Sequence, residues 1–538
     1  MNNTSATYLV GFGKRDMTAF VPGIGMMGYG QFHNTVKEVA TPLIVRAMYV
    51  KEGSSSIVLI HLEQAFITIA VKQEIVKRLQ TEHPDWQLSE RNVLVTAQHT
   101  HAAPGGYGHY PFYNFTIPGF QTRVFNKICA SAVQAVEVAQ RDLTESTMSW
   151  GEIEIHPDKE VAFNRSMRPY LNNADAPVLK LSESHLAVDR HMQGLQVRDT
   201  NGKLRGHLNW FAVHNTSVSS FNQRIHHDNK GVAADLYEKA HPGCTAFFLQ
   251  TSAGDVTPNF RWDKKKHRMV GKFDDQYDSA AFAGEIQFRA SETIKDDHQL
   301  AGGIASHMTY ADMGVPAHGI GFFTGTLEGP GLPHSVGNLL KGVVRVQKFF
   351  HLLMHPEDKP FHQLHGKKDI LLDHRTGTFG GITLKAWKKF PRLPDPTVEA
   401  VRLEAKKDSI NTLPWVPQII PFQLVRLGPI MLVGVPGEVT THAGVRMTKA
   451  IEAVTAGLGI TKVLITGYAN AYIGYITTPE EYDLQAYEGG HTIFGRHTLD
   501  LFIDACLVLV EQMRTHDERD TLIPAFQFPP DELARRTV

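Results

Sequence analysis

Cysteine is scarce in this chain: Cys129, Cys244 and Cys506 are the only three in 538 residues. None has CxxC spacing, which excludes a disulfide framework and a thiolate-held zinc. No apolar run reaches the roughly 18 residues that a membrane-spanning helix needs. The N-terminal MNNTSATYLVGFGKRD lacks a basic segment followed by an apolar stretch of about 7 to 15 residues, so no secretory leader is read. The expected compartment is the cytoplasm, or a secreted or periplasmic location if a leader has been trimmed from this N-terminus. An excess of one charge is lacking as well. Lys plus Arg number 54 against 55 Asp plus Glu, a net charge of -1, which gives no electrostatic footprint for nucleic acid. The one basic cluster, Lys264-Lys265-Lys266-His267-Arg268, reads as a solvated loop.

Histidine is in excess. The chain holds 28, about twice ordinary usage, and that favours metal or acid-base chemistry. In Asn92 to Tyr113 (NVLVTAQHTHAAPGGYGHYPFY) an apolar, β-branched run leads into His99-Thr100-His101 and then breaks at Pro104-Gly105-Gly106. Side chains two apart in an extended segment point the same way, so His99 and His101 can face one site beyond a buried strand. A His-x-His pair alone does not separate a metal site from two core histidines.

The same layout recurs. Leu208 to Val213 ends at His214-Asn215-Thr216-Ser217, and Thr245 to Leu249 ends in Gln250 to Asn259. Ile430 to Val435 ends at Pro436-Gly437-Glu438, and Val463 to Thr466 ends in Gly467 to Tyr475. Strand ends followed by Gly, Pro or Asn and by metal-binding or proton-moving groups predict an α/β fold: mixed β-sheets flanked by helices, with the active site at the strand ends. Helical spacing over Phe66 to Leu79, Val124 to Ala139 and Leu499 to Met513 supplies the flanking helices. Gly11-Phe12-Gly13 resembles the start of a dinucleotide fingerprint without its third glycine and is read as a turn. One domain over 1–515 accounts for the pattern, with a polar surface excursion over 332–417 and a tail over 516–538. The aromatic run from Tyr110 to Phe120 reads as either core or the wall of a hydrophobic channel, and its prolines favour the channel. If His99, His214 and Glu438 converge, two imidazoles and a carboxylate with one open position form the donor set of catalytic zinc.

The segments QHTHAAPGGY (98–107), NWFAVHNTS (209–217), TSAGDVTPN (251–259), PGEVTTHAGVR (436–446) and GYANAYIGYITTPEEYDLQAYEGG (467–490) resemble the neutral, non-lysosomal ceramidases. Those are zinc-dependent amidases that cleave N-acylsphingosine to a fatty acid and sphingosine. The resemblance runs from about Val10 to Leu509. It implies Zn2+ as cofactor with His99, His214, Glu438 and Tyr475 as ligands. It implies His101, Arg165 and Tyr487 as donors to the oxyanion. Thr257 stands where the family carries a catalytic serine in a Gly-Asp-x-Ser-Pro-Asn context. Its β-branch crowds attack, so water activated by the metal is the expected nucleophile, with Thr257 orienting substrate or water. The C-terminal immunoglobulin-like domain of that family is not expected in the sequence up to Val538. The implied partner is a lipid-like N-acyl amide, met through transient contact with a membrane surface and without a transmembrane segment. Hydrolysis of other N-acyl amides or of esters, and lipid binding without turnover, stay open as alternatives.

Overall fold

Strand alternation decides the architecture, because each long strand divides its side chains between two different apolar cores. The computed structural model describes residues 7–329, 331–392, 396–407, 414–515 and 526–537. Its first sheet contains β1 (Tyr8–Asp16), β2 (Ile44–Glu52), β3 (Ser55–Leu62), β4 (Val93–Ala97), β5 (Thr144–Glu154), β6 (His191–Asp199), β7 (Leu204–Trp210) and β8 (Thr245–Leu249). In space they run β8-β7-β6-β5-β1-β2-β3-β4, with the short strand His298–Gln299 on β5. The pairs β3/β4 and β7/β8 are parallel and the remaining neighbours antiparallel. The second sheet is β9 (Ile304–Asp312), β10 (Ile419–Leu427), β11 (Ile430–Gly434) and β12 (Lys462–Thr466), in that order, with β11/β12 parallel.

Met48, Val50, Ile57 and Leu59 of the first sheet share a buried cluster with Val425, Leu427, Ile430, Leu432 and Leu464 of the second, so the sheets pack face to face. The alternate residues Val45, Ala47, Tyr49, Val58 and Ile60 face α1 (Ile69–Glu82) and α2 (Thr122–Arg141). On the other half of that face, Ala246 and Phe248 meet α3 (Asp228–Ala240) and, through Phe288, α4 (Gln276–Ser291). Phe422, Leu424, Met431, Val433, Val463 and Ile465 face α6 (Thr441–Thr455) and α7 (Thr498–Thr515). The result is a helix–sheet–sheet–helix sandwich, the mixed sheets flanked by helices that the sequence predicts.

Three expectations change. Gly11 and Gly13 belong to β1, not to a turn; a Cβ there would lie 1.9 Å from Ala139 O and 2.1 Å from Ala135 O, so these glycines let α2 lie directly on the strand. Phe66 precedes α1, whose N-cap is Thr68, and points to the substrate cleft described below. β7 ends at Trp210, and Phe211 to Val213 continue as buried loop.

Within 332–417 lie α5 (His334–Met354), the strands Ile370–Asp373, Thr378–Phe379 and Ile382–Thr383, which join Ala317–Gly319 in a four-stranded sheet, and a helix over Pro396–Lys407. Leu371, Leu372, Phe379, Trp387, Val401 and Trp415 of this stretch form their own core with Phe115, Ile320 and Phe323. Of the predicted tail, 516–525 fall outside the described residues. Beyond them Phe528 packs on Tyr110 at 5.1 Å, and Phe120 N–H donates to Arg536 O at 2.8 Å.

Asn470 ties the two sheets together beside the site. Its backbone N–H donates to Val95 O, its Oδ1 accepts from Val95 N–H, and its Nδ2 donates to Gln423 Oε1. It does so at φ +62°, a left-handed conformation that Asn tolerates better than most residues.

Candidate metal centre and substrate cleft

The loop after β4 carries His99, the loop after β7 carries His214, and the loop after β11 carries Glu438. All three are buried, and their donor atoms lie within 4.8 Å of one another. His214 Nε2 is 3.0 Å from Glu438 Oε2, and His99 Nε2 is 3.6 Å from Oε1. His99 Nδ1 lies 2.6 Å from Ala65 O; His214 Nδ1 lies 2.6 Å from Ala253 O and 2.9 Å from Val256 O. A carbonyl can only accept, so each Nδ1 carries the proton and each Nε2 presents a lone pair inward. His99 holds this pose at φ +76°, backbone strain of the kind found at functional sites.

Burial pushes the His99 imidazole down to about 4 against the pull of Glu438, which favours the neutral form that ligates metal. Burial alone would raise the Glu438 carboxyl, yet His99 and His214 beside it, with Tyr472 bonded to it, hold it well below the usual carboxylate range. Tyr468 and Tyr472 both donate to that carboxylate. Two aimed imidazoles with fixed tautomers and one oriented carboxylate, all buried, fit Zn2+.

Tyr475 belongs to the same place. The short strands Glu438–Val439 and Tyr475–Ile476 pair in parallel with Glu438 opposite Tyr475. The Tyr475 hydroxyl accepts from Arg165 Nη2 at 2.9 Å. Arg165 is partly buried and gripped: Nε donates to Glu488 at 3.0 Å, Nη2 to Gly254 O at 2.9 Å, and Nη1 reaches Glu328 at 3.4 Å. Burial opposes its charge, but Tyr475, Glu488 and Glu328 raise it well above its ordinary value and keep it cationic. Tyr487 lies 5.5 Å from the Tyr475 ring and 5.6 Å beneath the Arg165 guanidinium. His101 Nε2 is 3.0 Å from His99 Nε2, and its Nδ1 has no hydrogen-bond partner among the described residues.

His99, His101, Arg165, His214, Glu438, Tyr475 and Tyr487 all line one cleft. Thr257 is buried outside the cleft lining, and its Oγ1 accepts from Asn259 N–H at 3.0 Å. The aromatic run divides: Phe112, Tyr113, Phe115 and Ile117 line the cleft, while Tyr110 and Phe120 pack away from it. Sequence reading missed the supports Glu328, Glu488, Tyr468 and Tyr472. The two tyrosines stand within the GYANAYIGY stretch, where their spacing from Tyr475 was the available signal.

The glycine-rich loop at Met26 to Gly30 also borders the cleft. A Cβ on Gly28 would lie 2.4 Å from the His101 ring, and φ there is +125°. Gly28→Ala is expected to displace His101 and lower kcat about 100-fold, the cost of a misplacement near 1 Å, while bound zinc, measured by atomic emission, stays at the wild-type level.

The sequence profile of the neutral/alkaline non-lysosomal ceramidases, N-terminal region, matches residues 8–380 and 399–504. This chain belongs to that family. It is 30% identical to the neutral ceramidase of Pseudomonas aeruginosa, over 94% of this chain and 72% of that protein. It is 30% identical to the neutral ceramidase of Mycobacterium tuberculosis, over 94% and 77%. The crystal structure of the Pseudomonas aeruginosa neutral ceramidase superposes with a TM-score of 0.76 at 28% identity, covering 97% of this chain and 76% of the other. A ceramidase complexed with C2 gives 0.78 at 29%, covering 97% and 78%. With its buried His99–His214–Glu438 cluster, this member of the ceramidase family is a zinc-dependent amidohydrolase.

Proposed function

We propose that the chain hydrolyses the amide bond of ceramide-like lipids, N-acylated sphingoid bases, to a fatty acid and a free amine. The observation that carries this reading is the buried His99–His214–Glu438 cluster in the lining of a cleft that Phe112, Tyr113, Phe115, Ile117 and Phe322 also wall. Each methylene an acyl chain buries there is worth about 0.8 kcal/mol.

His99, His214 and Glu438 would hold the ion, with the Tyr475 phenol oxygen as fourth donor. Zinc, when bound, supplies Lewis acidity that lowers the pKa of water towards ~7 and polarises the acyl carbonyl. The remaining chemistry belongs to the chain. Arg165, fixed by Glu488 and Glu328, offers a permanent cation where negative charge develops on the acyl oxygen. Tyr487 and His101 add donors from the cleft wall. Such groups, oriented before reaction and shielded from water, each contribute on the order of 2.7–4 kcal/mol. Thr257 takes a supporting part in this scheme: its hydroxyl holds the Asn259 backbone, and Asn259 Nδ2 donates to Glu328 at 2.7 Å. It therefore steadies the partner of Arg165.

The test is product identification by mass spectrometry. Zinc-loaded protein is incubated with N-acylsphingosine in mixed micelles, short N-acyl amides and matched esters. The lipid amide is expected to turn over fastest and yield fatty acid and sphingoid base in equal amounts. Cleavage of esters or short amides with N-acylsphingosine left intact would overturn the reading.

A further inference from the structure

α5 covers the cleft wall with one face and leaves an apolar face bare on the other. Its inner face is short-range and packed: Val344 is buried beside Leu372, and a Cβ on Gly337 would lie 2.7 Å from Thr324. Opposite these, Leu339, Val343, Val346, Phe349, Phe350 and Leu353 recur at helical spacing, with Leu339 69%, Phe349 62% and Leu353 65% exposed. An outward apolar stripe of this length is not the surface of an ordinary water-facing helix. No helix among the described residues is long and apolar enough to cross a membrane. A helix of 21 residues with a continuous exposed apolar face suits the plane of a bilayer surface, apolar side down.

A second element at the same rim points the same way. The hairpin Arg261–Asp263/Arg268–Val270 carries the Lys264-Lys265-Lys266 turn, all three lysines exposed, and a half-exposed Trp262. Met269 of this hairpin donates its N–H to Leu327 O at 2.8 Å. Leu327 is 61% exposed and stands between the cleft-lining residues Thr326 and Glu328, in the loop that runs on into α5. Leu327, Trp262 and the exposed Lys264 and Lys265 thus stand beside the cleft edge, while Lys266 pairs with Asp263 at 3.7 Å and donates to Asp274 O at 2.9 Å. A tryptophan beside lysines is the composition of a membrane–water interface, and lysines at such a surface favour anionic headgroups.

We propose that the outer face of α5, with Leu327 and the Trp262–Lys266 hairpin, docks the protein on the surface of a bilayer containing anionic lipid, placing the cleft edge against the membrane that holds the substrate. The occupant is the lipid surface; the proposal rests on the lipid-amide reading above for its purpose, but the binding is tested without catalysis. The full zinc-loaded chain is sedimented with vesicles of phosphatidylcholine alone and of phosphatidylcholine with phosphatidylglycerol. The wild type is expected to bind the anionic vesicles. Val346→Glu/Phe350→Glu and, separately, Lys264→Glu/Lys265→Glu are each expected to weaken that binding about tenfold or more. Turnover of a soluble short-chain N-acyl amide should stay at the wild-type rate in both variants, whereas turnover of N-acylsphingosine in the vesicles should fall. Undiminished vesicle binding by both double variants would overturn the proposal. So would light scattering that shows a wild-type dimer converted to monomer by Val346→Glu/Phe350→Glu with no vesicle binding in either, since the face would then be a contact between copies. Vesicle binding lost in the variants while no N-acyl amide is hydrolysed by any of the proteins would uphold the docking face and refute the substrate assignment.

Discussion

His214→Ala should leave the chain with essentially no bound zinc and with turnover at or below about 10⁻³ of the wild-type rate, because a catalytic site held by two imidazoles, one carboxylate and a phenol has no spare protein donor. The geometry makes this the most damaging single change. Of the two imidazoles His214 lies closer to Glu438, at 3.0 Å, and its ring is locked by two carbonyls that follow β8, Ala253 and Val256. Removing it takes away one of the two imidazole donors and leaves His99 as the one imidazole of the cluster beside the buried Glu438. Metal content after gel filtration decides the matter together with activity, and far-ultraviolet circular dichroism checks that the fold survives. Wild-type zinc in the variant would mean that the ion sits elsewhere, and the hydrolase scheme built on these residues would fail.

Much of this site could be read from the sequence because its ligands follow buried strands. Val93 to Ala97, Thr245 to Leu249 and Ile430 to Gly434 are short apolar runs whose ends are marked by Gly, Pro or polar residues, and the structure forms strands on each. The facing of the two sheets was not visible. It depends on the odd–even division of residues such as Val433 and Leu432 between two cores, and both members of each pair are equally apolar in a strand buried on two sides. Gly11 and Gly13 misled for a related reason: a glycine needed for close helix approach looks, in sequence, like a glycine needed for a turn. The supports of the site were hidden by distance along the chain. Glu488 lies 323 residues from Arg165 and Glu328 lies 163 residues from it, and no local spacing links a carboxylate to a guanidinium so far away. Family resemblance placed Thr257 among the catalytic groups by its surrounding motif. The coordinates give its hydroxyl a neighbour, Asn259 N–H, that motif comparison cannot reveal.

Arg165→Lys is expected to lower kcat about 10²- to 10³-fold, the loss typical of one oriented oxyanion donor, with zinc content unchanged and KM altered little. The argument is geometric. The guanidinium meets four partners in one pose: Glu488 through Nε, Glu328 through Nη1, and Gly254 O and the Tyr475 hydroxyl through Nη2. An ammonium keeps the charge but has no planar fork, so it cannot hold Glu488 and reach Tyr475 at once. Arg165→Met removes the charge as well. It leaves Glu328 and Glu488 buried together without their cation, a change that costs about 3–5 kcal/mol of stability and would show as a lowered urea midpoint. The lysine variant therefore separates the two roles. A lysine enzyme that is stable but slow assigns the rate to orientation of the guanidinium. Wild-type kcat in that variant would mean that a positive charge suffices, and that the fourfold grip on Arg165 serves the fold alone.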